Sequence, residues 1–97
     1  MPDLVITERA RHGIEKCRAF LKAKNPDASQ RAAQAIKQRL QILMDHPEAG
    51  RLINPETGLR EWLIPFGASG YVALYQLIPK RDLILILAFR HQREAGY

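Results

Sequence analysis

Two apolar stripes separated by a proline do most to limit what this chain can fold into. Ala10, Ile14, Cys17 and Leu21 recur at spacings of four, three and four, with Phe20 beside them. Ala33, Ile36, Leu40 and Leu43 repeat the pattern, widened by Ala32 and Met44. Apolar residues at that period fall on one face of an α-helix and leave the other face wet. Thr7 is placed to cap the first helix, with Glu8 in its first turn. Lys24-Asn25-Pro26 ends it, because the residue before a proline avoids the helical region. Asp27 opens the second helix, with Gln30 three residues on as in a capping box, and Pro47 stops it. Two such helices on a tight link form a helical hairpin, and both stripes need a surface to cover.

A sheet supplies that surface. Leu4-Val5-Ile6 is a short β-prone run. Residues 48–58 read as a loop, punctuated by Gly50, Asn54-Pro55 and Gly58. Residues 59–64 read as a strand closed by Pro65, residues 66–70 as a turn, and residues 71–78 as the next strand. That strand alternates Tyr71, Ala73, Tyr75 and Leu77 on one face with Val72, Leu74, Gln76 and Ile78 on the other. Residues 83–89 are apolar on both faces, as expected of a central strand covered on each side. The expected fold is therefore α+β, in the order β-α-α-β-β-β, with the helical hairpin packed on an antiparallel sheet. The stripes should cover the face bearing Tyr71, Ala73, Tyr75 and Leu77.

A length of 97 residues suits one domain spanning 1–97. Its single cysteine, Cys17, excludes an internal disulfide and fits a reducing compartment. No apolar run approaches the ~18 residues of a membrane span, and Met1-Pro2-Asp3 does not begin a signal peptide. The expected location is the cytoplasm, with no membrane partner. The net charge of +5 is uneven: nine basic residues against four acidic up to Leu40, then six of each. Such asymmetry suits a nucleic-acid, anionic or acidic-protein partner, or simply a solvated helix face rich in Lys and Arg.

Several chemistries are excluded by what is missing. His12, His46 and His91 lie in separate elements without neighbouring ligands, so no metal is expected. Ser69 sits in a hairpin turn and lacks the second glycine of a nucleophile elbow. Cys17 reads as a small core residue. No glycine-rich loop precedes a helix, so no nucleotide cofactor is expected, and no carboxylate pair suggests two-acid catalysis. What remains is a cluster after the last strand: Arg90, His91, Arg93 and Tyr97. A histidine among guanidinium groups could act on a phosphodiester by acid–base and charge stabilisation. Equally, the tail could be a basic surface that docks on a partner.

The element order resembles the RelE/ParE superfamily of toxins from type II toxin–antitoxin systems. So do residues 43–51, with Pro47-x-x-Gly50-Arg51, then Leu59-Arg60-Glu61, residues 70–75, and residues 85–93 with their Phe89-x-His91 ending. The resemblance covers essentially the whole chain. It implies a growth-arresting toxin neutralised by an antitoxin encoded beside it, often serving plasmid or chromosomal maintenance. RelE-like members cut mRNA on the ribosome; ParE-like members poison DNA gyrase. RelE-like members carry an arginine just after the Tyr71 position, where this chain has Val72, and lysines before the second strand, where it has Asn54, Glu56 and Thr57. On those departures the chain is read as ParE-like. Target-binding residues would be Arg51, Arg60, Arg90, His91 and Arg93. A RelE-like nuclease would instead use Arg60, Arg90, His91, Arg93 and Tyr97 as its catalytic set. The apolar run Val72, Leu74 and Ile78 is the expected antitoxin-binding face. A non-toxic adaptor that kept the fold is the third class.

Overall fold

In the computed structural model, which describes residues 2–94 and 96–97, the chain begins with strand β1 (Asp3–Ile6) and helices α1 (Glu8–Lys24) and α2 (Pro26–Asp45). Strands β2 (Arg51–Asn54), β3 (Leu59–Phe66), β4 (Ser69–Ile78) and β5 (Leu83–His91) follow, with a short 3-10 turn (Pro79–Arg81) before β5. Thr7 caps α1 as its position suggests. Its backbone is extended and its hydroxyl oxygen accepts from the Ala10 amide at 3.2 Å, while the hydroxyl donates to the Ile86 carbonyl at 2.7 Å. Asn25 serves both helices. Its amide donates to Leu21 at 2.8 Å to finish α1, and its side-chain oxygen accepts from the Ala28 amide at 3.1 Å to start α2. The second helix thus opens at Pro26, not at Asp27, because proline at the first helical position lacks only an amide proton that would be unpaired anyway.

The sheet runs β1-β5-β4-β3-β2. Two expectations need correction. The segment read as a loop contains β2, paired antiparallel with β3 through Arg51↔Glu61 and Leu52↔Arg60. The sheet is mixed, since β1 lies parallel to β5 from Asp3↔Leu83 to Ile6↔Ile86. Both helices and strands β2 to β4 lie between them in sequence, a connection of the length a parallel pairing requires. The remaining pairs are antiparallel. Strands β3, β4 and β5 each extend two residues beyond the reading from sequence, and the tight turn is reduced to Gly67-Ala68 between the paired Phe66 and Ser69.

Both stripes cover the expected face. Ala10, Cys17, Ala32, Ile36, Leu40 and Leu43 pack with Trp62, Ile64, Tyr71, Ala73, Tyr75, Ile84, Ile86 and Phe89, with Ile14, Leu21 and Leu77 at the margins. Close approach of α1 to β5 requires Gly13, where a Cβ would strike the Phe89 carbonyl. Arg39 locks α2 to β3. Its guanidinium sits 4.1 Å from the Trp62 ring and donates to the Leu63 carbonyl, and the Trp62 indole donates to the Arg39 carbonyl at 2.9 Å. The other face of the sheet is less covered, and on β5 its Leu83 and Leu85 are only half-buried.

A bulge in β5 decides which side chains face where. Tyr75 pairs with Ile86 and Leu74 with Ala88, so Leu87 is the extra residue. Ile84 and Ile86 face the helices before the bulge; Phe89 and His91 face them after it. Ala88 and Arg90 are thereby turned to the opposite face.

Candidate functional site

The residues singled out from the sequence fall into three separate groups. The first is built around the loop leading into β2. Arg60 lies on the helix side of β3, opposite Tyr75, and donates one nitrogen to the carbonyls of Glu48 at 3.0 Å and Gly50 at 2.8 Å. The Tyr75 hydroxyl donates to the Pro47 carbonyl at 2.8 Å and accepts from the Gly50 amide at 2.9 Å. A Cβ at position 50 would collide with the Tyr75 phenol, which explains the glycine in Pro47-x-x-Gly50-Arg51. Arg60 is thus a strut of this loop, with part of its hydrogen-bonding capacity already used.

The second group occupies the sheet face away from the helices. Glu61 accepts from Arg51 at 2.7 Å and from the Tyr97 hydroxyl at 2.8 Å. Those bonds, Arg51's first, hold its carboxyl below the usual carboxylate range against a smaller opposing effect of burial. Arg90 lies 4.8 Å from the Tyr97 ring and donates to the carbonyls of His91, Gln92 and Glu94, at 2.8 Å for the last. The Tyr97 carbonyl in turn accepts from Arg9 of α1. Burial first, and then the bond to Glu61 and its charge, push the Tyr97 phenol up, so it keeps its proton at neutral pH. Arg90 and Tyr97 therefore fold the tail back across the sheet.

That tail changes the expected antitoxin face. Val72, the Cα partner of Arg90 on this side of β4, is 2% exposed, while Leu74 and Ile78 are half-buried. The run is not an open apolar strip: at Val72 it is closed. Sequence alternation identifies the face, but the cover at Val72 comes from residues distant along the chain.

The third group lies at the far end of the sheet on the helix side. The His91 ring meets the edge of Tyr71 with 5.7 Å between centroids, and Tyr71 stacks between Phe66 and Phe89. His91 Nδ1 accepts from the Arg93 amide at 3.1 Å, and Nε2 lies 3.1 Å from Ser69 Oγ. A neutral imidazole that accepts at Nδ1 carries its proton on Nε2. His91 then donates to Ser69 and is the wrong tautomer to take that hydroxyl's proton. The pairing of Ser69 with His91 was not legible from the sequence, since it depends on the register of β4 with β5.

Behind this group, Cys17 is buried, and desolvation first, with the Glu94 charge second, pushes its thiol up to about 11. In front of it lies a cavity of about 790 Å³ between α1 and the β3–β4 turn, lined by Phe20, Leu21, Phe66 and Tyr71 and edged by Lys16, Lys24 and Arg93. Among the described residues, no three His, Cys, Asp or Glu side chains converge as metal ligands, and no helix is long and apolar enough to cross a membrane.

The profile of the ParE toxin of the type II toxin–antitoxin system parDE matches residues 4–96. The chain belongs to this family of toxins. This ParE-family chain is 34% identical over 94 residues to Toxin RelE3 of Caulobacter vibrioides, covering 97% of this chain and 98% of the relative. It is 32% identical over 75 residues to Toxin RelE1 of the same organism, covering 77% and 78% respectively. Its fold matches a chain of the intact Escherichia coli RelBE toxin–antitoxin complex with TM-score 0.61 at 19% identity, over the full length of both. It matches the isolated Escherichia coli RelE toxin with TM-score 0.62 at 18% identity, over 99% of this chain and 89% of that one. At those identities the structural likeness is one of fold. The ParE-family toxin thus joins a β-α-α-β-β-β-β framework to three separate groups of polar side chains.

Proposed function

We propose that this toxin works in the ParE-like manner in the cytoplasm: it arrests growth by binding DNA gyrase, without cutting RNA, until a cognate antitoxin binds it. The observation that carries this reading is the separation of the residues a nuclease would use: Arg93 stays beside His91, but Arg60, Arg90 and Tyr97 lie apart from that pair. Arg60 and His91 are on the helix face but on different strands, four residues apart along the sheet, or roughly 13 Å at the rise of a strand. Arg90 and Tyr97 are on the other face and bound to the tail. Phosphodiester cleavage needs its acid, base and charge-stabilising groups around one phosphate. With Val72 at the position after Tyr71, β4 has no cation to add there. Loss of one such donor costs ~10²–10³ in rate.

A second reading, a RelE-like ribosome-dependent endonuclease, draws on the relatives, which are named RelE toxins. The two separate in one paired assay of purified protein. ParE-like action inhibits supercoiling by gyrase, is relieved by antitoxin, and leaves mRNA intact in a translating extract. RelE-like action cuts mRNA in the extract and leaves supercoiling unaffected, and it too is relieved by antitoxin.

A further inference from the structure

An apolar recess of about 790 Å³ lies away from the face expected to hold the antitoxin. It runs between the C-terminal half of α1 and the turn joining β3 to β4. Its walls are Cys17, Phe20, Leu21, Phe66 and Tyr71. Phe20 is 66% exposed, the most exposed large apolar side chain among the described residues. Leaving such a ring in water forgoes the stabilisation that its burial would bring. Lys16, Lys24 and Arg93 stand at the rim with a single carboxylate, Glu94, so the recess is apolar inside and cationic outside.

We propose that this groove receives an apolar segment of the antitoxin flanked by acidic residues. The inference rests on the toxin reading above and names where its partner docks. Charge decides the occupant. A second copy of this chain would bring the same cations against the rim. A single-stranded nucleic acid stacks successive bases on several open rings, but Tyr71 is 4% exposed, and the exposed Phe20 ring has the Lys24 ammonium over one of its faces at 4.5 Å. An acidic peptide with one or two large apolar side chains fits both parts: rings fill the recess and carboxylates meet Lys16, Lys24 and Arg93. Exposed cations at such a rim steer association more than they hold the complex.

The test uses the full toxin and, as probe, the purified product of the reading frame adjoining its gene. Phe20→Ala should weaken binding at least tenfold through faster dissociation, and Lys16→Glu with Lys24→Glu should slow association several-fold and flatten its salt dependence. Arg81→Glu, on the exposed turn before β5, is the control and should do neither. Exposed Phe20 leaves the fold intact on substitution, which circular dichroism verifies. If the wild type binds and the groove variants bind equally well, the groove is not the docking site. If the groove variants lose affinity for a single-stranded RNA but not for that protein, the occupant is wrong. Failure of the wild type to bind at all would overturn the antitoxin reading together with the groove.

Discussion

The amide of Arg93 donates to Nδ1 of His91 at 3.1 Å, and this bond determines what the histidine can do. It leaves the ring proton on Nε2, directed at Ser69. A hydroxyl that receives a proton in its hydrogen bond is not being activated as a nucleophile. The most reactive-looking pair in the chain is therefore arranged as a structural contact across β4 and β5.

Tyr75 and Gly50 form the joint between sheet and loop. Tyr75→Phe removes the acceptor of the buried Gly50 amide and the donor to Pro47, which should cost ~1–3 kcal/mol. Gly50→Ala should cost more, because its Cβ meets the phenol. Urea unfolding of both variants measures the difference; a Tyr75→Phe protein as stable as wild type would contradict the joint.

Leu40 is 9% exposed and sits between α2 and the sheet. Leu40→Ala should cost ~2–5 kcal/mol by leaving a cavity, whereas Phe20→Ala should change stability by no more than ~0.5 kcal/mol, as surface substitutions do. The two midpoints in the same denaturant series test whether the stripes are set as described.

Glu61 makes the tail latch acid-sensitive. Arg51, then Tyr97, holds its carboxyl below the usual range, so the folded protein binds a proton there less readily than the unfolded chain. That stability is complete above the ordinary glutamate value of ~4.3 and is lost as pH falls through the lowered one. Glu61→Gln should lower stability at neutral pH and flatten the acid limb of the unfolding curve. An acid limb of unchanged steepness would show that the latch contributes nothing.

Much of the fold was legible because its signals are local. Spacing of Ala10 through Leu21 and of Ala33 through Leu43 requires neither tertiary contact nor partner, and the helices follow it. Arg51–Asn54 gave no such signal: four residues between Gly50 and a turn become a strand only because Glu61 and Arg60 pair with them. The parallel placement of β1 beside β5 is likewise non-local. The site was harder still. Arg60, Arg90, His91, Arg93 and Tyr97 were identifiable as a set of residue types, but the extra Leu87 in β5 fixes which face each of Arg90 and His91 takes. Val72 is buried on β4 beside Arg90 of β5, a pairing that alternation within β4 cannot reveal.

Cys17 offers a check on the packing under His91. With its thiol pushed up to about 11, little thiolate exists near neutral pH. Alkylation of the native protein should run roughly 100-fold slower than in the unfolded chain from thiolate fraction alone. Equal labelling rates by mass spectrometry in buffer and in denaturant would mean that the thiol is not buried between α1 and the sheet.

The central claim, a toxin that binds its target without cutting RNA, is tested most directly by mapping mRNA ends in a translating extract. The purified protein is added at concentrations that arrest growth. The account predicts no new ends for the wild type, and only gradual losses of toxicity for Arg90→Ala or Arg93→Ala, by the ~1–3 kcal/mol of a lost charged contact. Codon-specific cuts that vanish in His91→Ala and Arg60→Ala while ribosome binding persists would contradict it.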